Sequence, residues 1–299
     1  MSQTASPEQI IARPLPDTVP EQGGHRRRRA GSWWIYVLLT LGLIIMVGPF
    51  IWMVLDSFKG QAELAQLPPT WFPVAPTLDN YSKLFTQLNF PQYFMNSVIL
   101  AVSITILNLL FCSMLGYALA KLKFKGRNAL FLLVLATLMV PSTVTLVPLF
   151  VLMSKLQLVN TLTAVILPES AGALGVFLMR QFMRDIPDEL LDAARVDGAS
   201  EFYIYWRLVL PLSGPALATL TILTFLASWN DFIWPLIVLT NDQSYNLPVA
   251  LATFAIGQHG TDYGLLLAGA VVVVTPIVIV FLLLQRYFTQ GIAMTGLKG

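Results

Sequence analysis

The segment PDELLDAARVDGASEFYIYWRLVLP, residues 187–211, separates two long apolar stretches of the chain. It contains seven acidic or basic residues, although such residues make up only 11% of the whole chain. Charge at this density cannot lie in hydrocarbon, because each ionised side chain loses its hydration there. The segment, called the charged segment below, is therefore expected to lie outside the membrane and to separate two membrane spans.

The charged segment is predicted to form two short helices joined by a turn. Pro187 suits a first helical position, where no N–H is needed, and acidic residues follow in the positive first turn. Gly198 fits the left-handed stop after this helix, and Ser200 can cap the next one. The first helix has an apolar stripe made of Leu190, Leu191, Ala194 and Val196. A short helix with such a stripe is expected to dock against a partner.

Composition places the whole chain in a membrane. Its 299 residues are 56% hydrophobic, and the mean hydropathy is +0.70, which is too apolar for an ordinary soluble domain. Cys112 is the one cysteine, so no disulfide framework or thiolate metal site is expected. His25 and His259 have no histidine or cysteine at ligand spacing. A polytopic membrane protein without a bound metal is predicted.

Six apolar stretches are long enough to span a bilayer. The fifth covers about 33 residues, more than a bilayer needs, so Pro211, Pro215 and Pro235 are expected to break it. The predicted permease domain is 32–299, with spans at about 33–55, 93–120, 129–153, 159–183, 208–240 and 263–284.

Residues 1–31 are polar and end in the basic run Arg26–Arg29. They are predicted to form a disordered basic cytoplasmic tail whose arginines meet anionic lipid rather than nucleic acid. A cleaved signal peptide is the alternative. The apolar run that follows is about 23 residues long and lacks a small-residue cleavage site, which favours an uncleaved span.

The basic residues predict the orientation. With the N-terminus inside, fifteen of the eighteen lysines and arginines lie on the cytoplasmic side, and only Lys59, Lys83 and Lys155 lie outside. Both termini and the charged segment are then cytoplasmic.

The charged segment resembles the EAA loop of ABC importer permeases, the cytoplasmic coupling helix that contacts the ATPase subunit. The matching positions, Asp192, Ala193, Ala194, Asp197, Gly198, Ala199 and Ser200, are followed by Trp206 and by Leu210-Pro211. Asp192 stands where the family usually has glutamate. The resemblance implies that these seven positions couple the chain to an ATPase.

The resemblance covers nearly the whole chain after residue 31 and extends to the carbohydrate-importing, maltose-type branch, in its second permease subunit. It rests on Ser57-Phe58-Lys59, Asn80-Tyr81, Asn96-Ser97, Trp229-Asn230-Asp231, Gln285 to Phe288 and Gly291 to Gly299. The implied fold is an all-α type I permease with six transmembrane helices and a cytoplasmic coupling helix, in a bacterial plasma membrane. Gly296, Lys298 and Gly299 would lie at the ATPase interface.

The same resemblance implies the partners. They are a second, non-identical permease, an ATPase dimer, an extracytoplasmic solute-binding protein, membrane lipid and a small sugar. The chain contains no G-x-x-x-x-G-K-[ST] phosphate loop and no Gly-Lys pair. We therefore expect no cofactor on this chain, with ATP and Mg in the partner. No Ser/His/Asp arrangement or carboxylate pair supports an enzyme.

Polar residues inside spans are candidates for the substrate path, because they are costly in hydrocarbon. Glu169 lies beside Pro168 in the fourth stretch, where it either lines a cavity or sits at an interface or against another subunit. Trp229, Asn230 and Asp231 combine indole with polar groups suited to sugar, although interfacial anchoring is the alternative. Asn96 is a further candidate, and Asn108 a weaker one.

A function of another class is a proton-coupled secondary transporter that uses Glu169 and Asp231 as relays. The absence of an inverted hydropathy repeat weighs against it. The outer loop after the first span, around Trp71, leaves a further choice open. It is either an interfacial cap or a docking surface for the external partner.

Overall fold

The computed structural model describes residues 33–257 and 260–295. The chain divides into two compact units, Met1–Gly48 and Pro49–Gly299. The described part of the first unit is the N-terminal portion of one apolar helix, whose side chains are mostly exposed. The second unit contains the other described elements.

The described secondary structure is almost entirely helical. The helices in chain order are α1 Trp33–Asp56, α2 Gln61–Leu64, α3 Asp79–Thr86, α4 Phe90–Lys121, α5 Arg127–Thr137, α6 Ser142–Lys155, α7 Thr163–Glu169, α8 Ala173–Arg184, α9 Asp188–Val196, α10 Glu201–Ile204, α11 Leu210–Leu212, α12 Gly214–Trp229, α13 Ile233–Val238, α14 Leu247–Ala255 and α15 Tyr263–Thr295. A π-helical turn, Tyr205–Val209, joins α10 to α11, and a 3-10 turn, Asp242–Ser244, precedes α14. A two-residue antiparallel pair, β1 Ile256–Gly257 with β2 Gly260–Thr261, precedes α15.

Three of the described helices are long and apolar enough to cross a membrane: α1, α4 and residues Tyr263–Leu283 of α15. The number rises to six when three bent helix pairs each count as one span. These pairs are α5 with α6, bent by 98°, α7 with α8, bent by 41°, and the Glu201–Leu212 helical run with α12, bent by 78°.

The third apolar stretch, predicted as a single span over 129–153, is not one straight helix. It consists of α5 and α6, which meet at the 98° bend. Pro141 lies at this break in an extended conformation, with φ −59° and ψ 134°. Proline offers no N–H and disfavours a helical residue before it, so α5 ends short of it.

The fifth stretch is broken as expected at two of the three predicted prolines. The 78° bend falls between Pro211 and Pro215, and α12 ends near Asn230. Pro235 lies inside α13 instead of breaking a helix. Short non-helical links at Ser213 and after Trp229 separate α11, α12 and α13.

Close packing of α4 on α8 fixes the centre of the second unit. A Cβ added at Gly116 would lie 2.7 Å from the Met179 Cβ and 2.9 Å from the Arg180 nitrogen. At Gly175, an added Cβ would lie 2.8 Å from the Cys112 sulfur. The two helices therefore approach through glycine, the usual way in which membrane helices pack at short distance.

Candidate functional site

Helix α9 is the first helix of the charged segment, and it turns one apolar edge inward and another outward. Leu191 is 1% exposed and packs with Ile186 and Ile204 in the core beside α4 and α8. Leu190 and Val196, in contrast, are 51% and 87% exposed. The predicted single stripe is therefore divided between a face that anchors α9 and a face available to a partner.

The turn after α9 has the predicted left-handed glycine. Gly198 has φ +82°, and nothing lies within 4 Å of an added Cβ. Its N–H donates to the Arg195 carbonyl at 3.0 Å, and the Ala199 N–H donates to the Ala194 carbonyl at 3.0 Å. These two bonds form the Schellman motif that ends helices. The predicted stop at Gly198 is confirmed.

The N-terminus of α10 lies where it was predicted, and the N-terminus of α9 is shifted by one residue. Ser200 is the N-cap of α10, and its Oγ accepts a hydrogen bond from the Tyr203 N–H at 3.3 Å, which confirms that prediction. Pro187 is the N-cap of α9, with ψ 131°, so the prediction that it occupies the first helical position is wrong by one residue. Its extended conformation lets Asp188 begin the helix.

Arg195 joins the two short helices. Its Nε donates to Glu201 Oε1 at 2.8 Å, and its Nη1 donates to Asp192 Oδ1 at 2.7 Å. Tyr117, on α4, donates to the other Glu201 oxygen at 2.5 Å. Hydrogen bonds to Glu201 and then to Asp192 raise the pKa of the Arg195 guanidinium. Arg195 therefore pairs within its own chain and links α9 to α10.

Lys121 ties α9 to the end of α4. Its Nζ donates to the Ile186 carbonyl at 2.5 Å, to the Arg184 carbonyl at 3.2 Å and to Asp188 Oδ1 at 2.6 Å. The lysine side chain is only 4% exposed. One ammonium group thus satisfies two carbonyls at the end of α8 and the first carboxylate of α9.

The pairing with Lys121 gives a pH-dependent contribution to stability. The hydrogen bond from Lys121 lowers the pKa of the Asp188 carboxyl. A carboxyl with a depressed folded pKa stabilises the fold above its ordinary pKa, and this is lost as pH falls through the depressed value. Asp188→Asn should therefore lower the thermal midpoint at pH 7, with the difference from wild type vanishing in acid. A difference independent of pH would contradict this assignment, and Asp185→Asn is the control.

Two of the residues predicted to line the substrate path are buried and make hydrogen bonds within the chain. Trp229 is buried, stacks on Phe225 with ring centroids 5.6 Å apart, and donates through Nε1 to the Val273 carbonyl at 2.9 Å. Asn96 is also buried, and its amide donates at 2.9 Å to the carbonyls of Gln243 and Tyr245. The Trp229 side chain thus holds α12 against α15, and the Asn96 side chain holds α4 against the segment that precedes α14.

The remaining candidates lie in two places. Asn230 is exposed after α12 and donates to the Leu226 carbonyl at 2.9 Å. Glu169 ends α7, and its carboxyl group approaches that of Asp231. Asp231 Oδ2 is buried with no hydrogen-bond partner in the described part of the chain. Glu169 also lines a cavity of about 350 Å³, together with Asn108.

The loop after α1 is held at its base and exposed at its tip. Lys59 is buried, pairs with Asp56 at 2.6 Å and donates to the Thr70 carbonyl at 2.5 Å. Trp71 and Phe72, which follow, are largely exposed. This arrangement is compatible with either of the two alternatives for the loop.

Some predictions lie outside the described residues. They are the basic tail 1–31, His259, and the C-terminal positions Gly296, Lys298 and Gly299. Within residues 33–257 and 260–295, no group of three or more histidine, cysteine, aspartate or glutamate side chains could hold a metal ion.

Sequence reasoning missed Lys121, Tyr117 and Glu201 as parts of the site. Lys121 was counted only as a basic residue for orientation, and nothing local separates it from Lys123 or Lys125. An i, i+4 spacing of Tyr117 and Lys121 at the end of a span was the one available signal. Their contacts come from α8, α9 and α10, which are distant in sequence.

Comparison with known proteins gives consistent matches. The family described as "Binding-protein-dependent transport system inner membrane component" matches residues 112–294. The arabinooligosaccharides transport system permease protein AraQ of Halalkalibacterium halodurans is 46% identical over 271 residues, covering 90% of this chain and 97% of that protein. The lactose transport system permease protein LacG of Rhizobium radiobacter is 33% identical over 265 residues, covering 89% and 96%.

A solved structure has the same fold. It is that of a bacterial ABC transporter involved in the import of the acidic polysaccharide alginate, which matches with a TM-score of 0.77. The match covers 85% of this chain and 95% of that chain at 24% identity.

Proposed function

Because this chain belongs to the family of binding-protein-dependent transport system inner membrane components, we propose that it lines the path by which a bacterial importer takes up short pentose oligosaccharides. The chain is a bacterial membrane protein, a permease component of the carbohydrate ABC importers of maltose type, and not an enzyme. The predicted all-α fold with six spans is confirmed by the solved relative.

The substrate class rests on one observation. The arabinooligosaccharide permease is 46% identical to this chain, whereas the lactose permease is 33% identical over a similar share of both chains. The lactose permease is less similar, so a pentose oligomer is favoured over a hexose disaccharide. Relatives of both kinds support a sugar.

The proposed assembly contains four kinds of component besides lipid. This chain pairs with a second, non-identical permease, receives sugar from an extracytoplasmic solute-binding protein, and contacts an ATPase dimer that holds ATP and Mg. Dependence on a binding protein is part of the family description. The orientation proposed from the basic residues, with both termini cytoplasmic, puts the charged segment on the ATPase side.

Coupling through α9 follows from its two faces. Leu190, Ala193 and Val196 form its exposed apolar edge, which suits a groove in a partner. The opposite side is fixed by Leu191 in the core and by Lys121 to α4. Movement of a partner against α9 would therefore be transmitted to α4 and α8 as one body.

The coupling positions have different parts in this proposal. Ala193 lies on the docking edge, whereas Ala194 and Ala199 pack inward beside the glycine turn. Asp192 and Asp197 are exposed and flank that edge with negative charge. Asp192 keeps its second oxygen free while the first accepts from Arg195, so its short side chain is held close to α9.

Uptake in reconstituted vesicles tests the function. Proteoliposomes with the full transporter and its binding protein should accumulate labelled arabinotriose only when ATP is enclosed on the ATPase side. Collapse of the proton gradient should leave the rate unchanged, because the relatives are ABC transport components and support ATP-driven import rather than the proton-coupled alternative. Uptake that needs the gradient and not ATP would overturn the proposal.

A further inference from the structure

A cleft opens where α12 passes the break between α7 and α8. Its volume is about 350 Å³, near the small end of the roughly 300–1,000 Å³ range of ligand pockets. Its polar lining comes from Glu169 on α7, Asn108 on α4, and Thr224 and Ser228 on α12. Four leucines, two from α8 and two from α12, contribute to the apolar part of the wall.

The hydroxyls of α12 fall into two groups. Thr219 and Thr221 donate to carbonyls four residues earlier, at 3.0 and 2.7 Å. Thr224 and Ser228 line the cleft, and neither side chain has a hydrogen-bond partner in the described part of the chain. Ser228 is nevertheless only 5% exposed. A hydroxyl that lines the cleft can donate to and accept from a ligand placed there.

The spacing of these two hydroxyls suits one ligand. Residues 224 and 228 lie one helical turn apart, on the same face of α12. Across the cleft lies the carboxyl group of Glu169, which pairs with no described lysine or arginine. Asn108 is already engaged, since it donates to the Glu169 carbonyl at 3.1 Å and accepts from Cys112. It supports the α7–α8 break, so the groups of the cleft that can meet a ligand are the two hydroxyls and the Glu169 carboxyl group, which also approaches that of Asp231.

We propose that this cleft is a sugar subsite of the permease that holds one ring of the oligosaccharide. Sugar hydroxyls both donate and accept, so one ring can bridge the serine and threonine hydroxyls and the Glu169 carboxyl group. The C–H faces of the ring pack against Leu220 and Leu223. The inference rests on the proposed function, and it replaces Trp229 and Asn96 with Thr224 and Ser228 as polar groups of the path.

Isosteric removal of the two hydroxyls tests the subsite. In proteoliposomes with the complete transporter, Thr224→Val combined with Ser228→Ala should reduce the initial rate of labelled arabinotriose uptake about tenfold, because each lost hydrogen bond changes an equilibrium by roughly two- to tenfold. ATP hydrolysis stimulated by the binding protein should persist. Thr224→Ser, which keeps the hydroxyl, should retain uptake, and Thr221→Val on the same helix is the matched control.

The outcomes separate this inference from the function on which it rests. Wild-type uptake with an unchanged rate in the double variant would overturn the subsite alone. Equal loss of uptake and of stimulated ATP hydrolysis would also overturn it, since it would indicate a structural role. A wild-type transporter that hydrolyses ATP but accumulates no arabinotriose would instead overturn the proposed function, and the subsite with it.

Discussion

Gly198→Val is expected to reduce ATP-driven uptake by roughly thirtyfold, because a left-handed conformation costs a non-glycine residue about 1–2 kcal/mol and a β-branched residue more. Gly198 has φ +82°, and an added Cβ would meet nothing within 4 Å. The penalty therefore arises in the backbone and not from a clash. The Schellman bonds must open or distort, and α9 then loses its fixed angle to α10.

The measurement is the ratio of sugar taken up to ATP hydrolysed in proteoliposomes. Gly126→Val is the matched control, since Gly126 has φ +87°, an equally open surrounding, and a position before α5 that is remote in sequence from α9. The control should lose a similar amount of stability and keep its coupling ratio. If Gly198→Val retained both uptake and stimulated ATP hydrolysis, a fixed α9 would not be needed for transport.

Features that the backbone requires locally were predictable from the sequence. Gly198 and Ser200 stand where a helix must stop and the next must begin, and few residue types satisfy those positions. The number of apolar stretches was also predictable, because bilayer thickness sets the length that a span must have. These predictions need no knowledge of what lies across the fold.

Features that depend on tertiary contacts could not be predicted. Trp229 was considered as a sugar contact or an interfacial anchor, but it is buried against Phe225 and bonded to Val273. The sequence reveals that an indole is present, but it does not reveal that α15 packs over this side chain. Likewise, Thr224 and Ser228 resemble Thr219 and Thr221 in sequence, and only the carbonyl bonds of the latter pair distinguish them.

Prolines predicted the helix breaks only in part. In the fifth stretch the chain bends between Pro211 and Pro215, as predicted, but α13 includes the third predicted breaker, Pro235. Pro141 gave the same signal in the third stretch, where no break was predicted. A proline removes one hydrogen bond, and the packing around it determines whether the helix turns.

Lys121→Met is expected to lower uptake on the order of a hundredfold, because hydrogen bonds from a charged group contribute about 1.5–3 kcal/mol each and the variant loses several. The Arg184 and Ile186 carbonyls would lose their ammonium donor, and the Asp188 carboxylate would lose its partner. Asp188 is 72% exposed, so water can replace that contact. The loss at the two carbonyls at the end of α8 therefore dominates.

Lys123→Met is the control, because Lys123 is exposed and lies two residues further along the chain. Lys121→Arg keeps the charge but must fit a wider planar group into the same space, so we expect an intermediate loss. Thermal unfolding of the purified complex and the coupling ratio should be measured together. If Lys121 links α9 to α4, the coupling ratio of Lys121→Met falls even at temperatures where the complex stays folded. A ratio equal to that of Lys123→Met under those conditions would mean that force from the ATPase reaches the spans by another contact, with the Arg195–Glu201–Tyr117 network as the remaining route from α9 to α4.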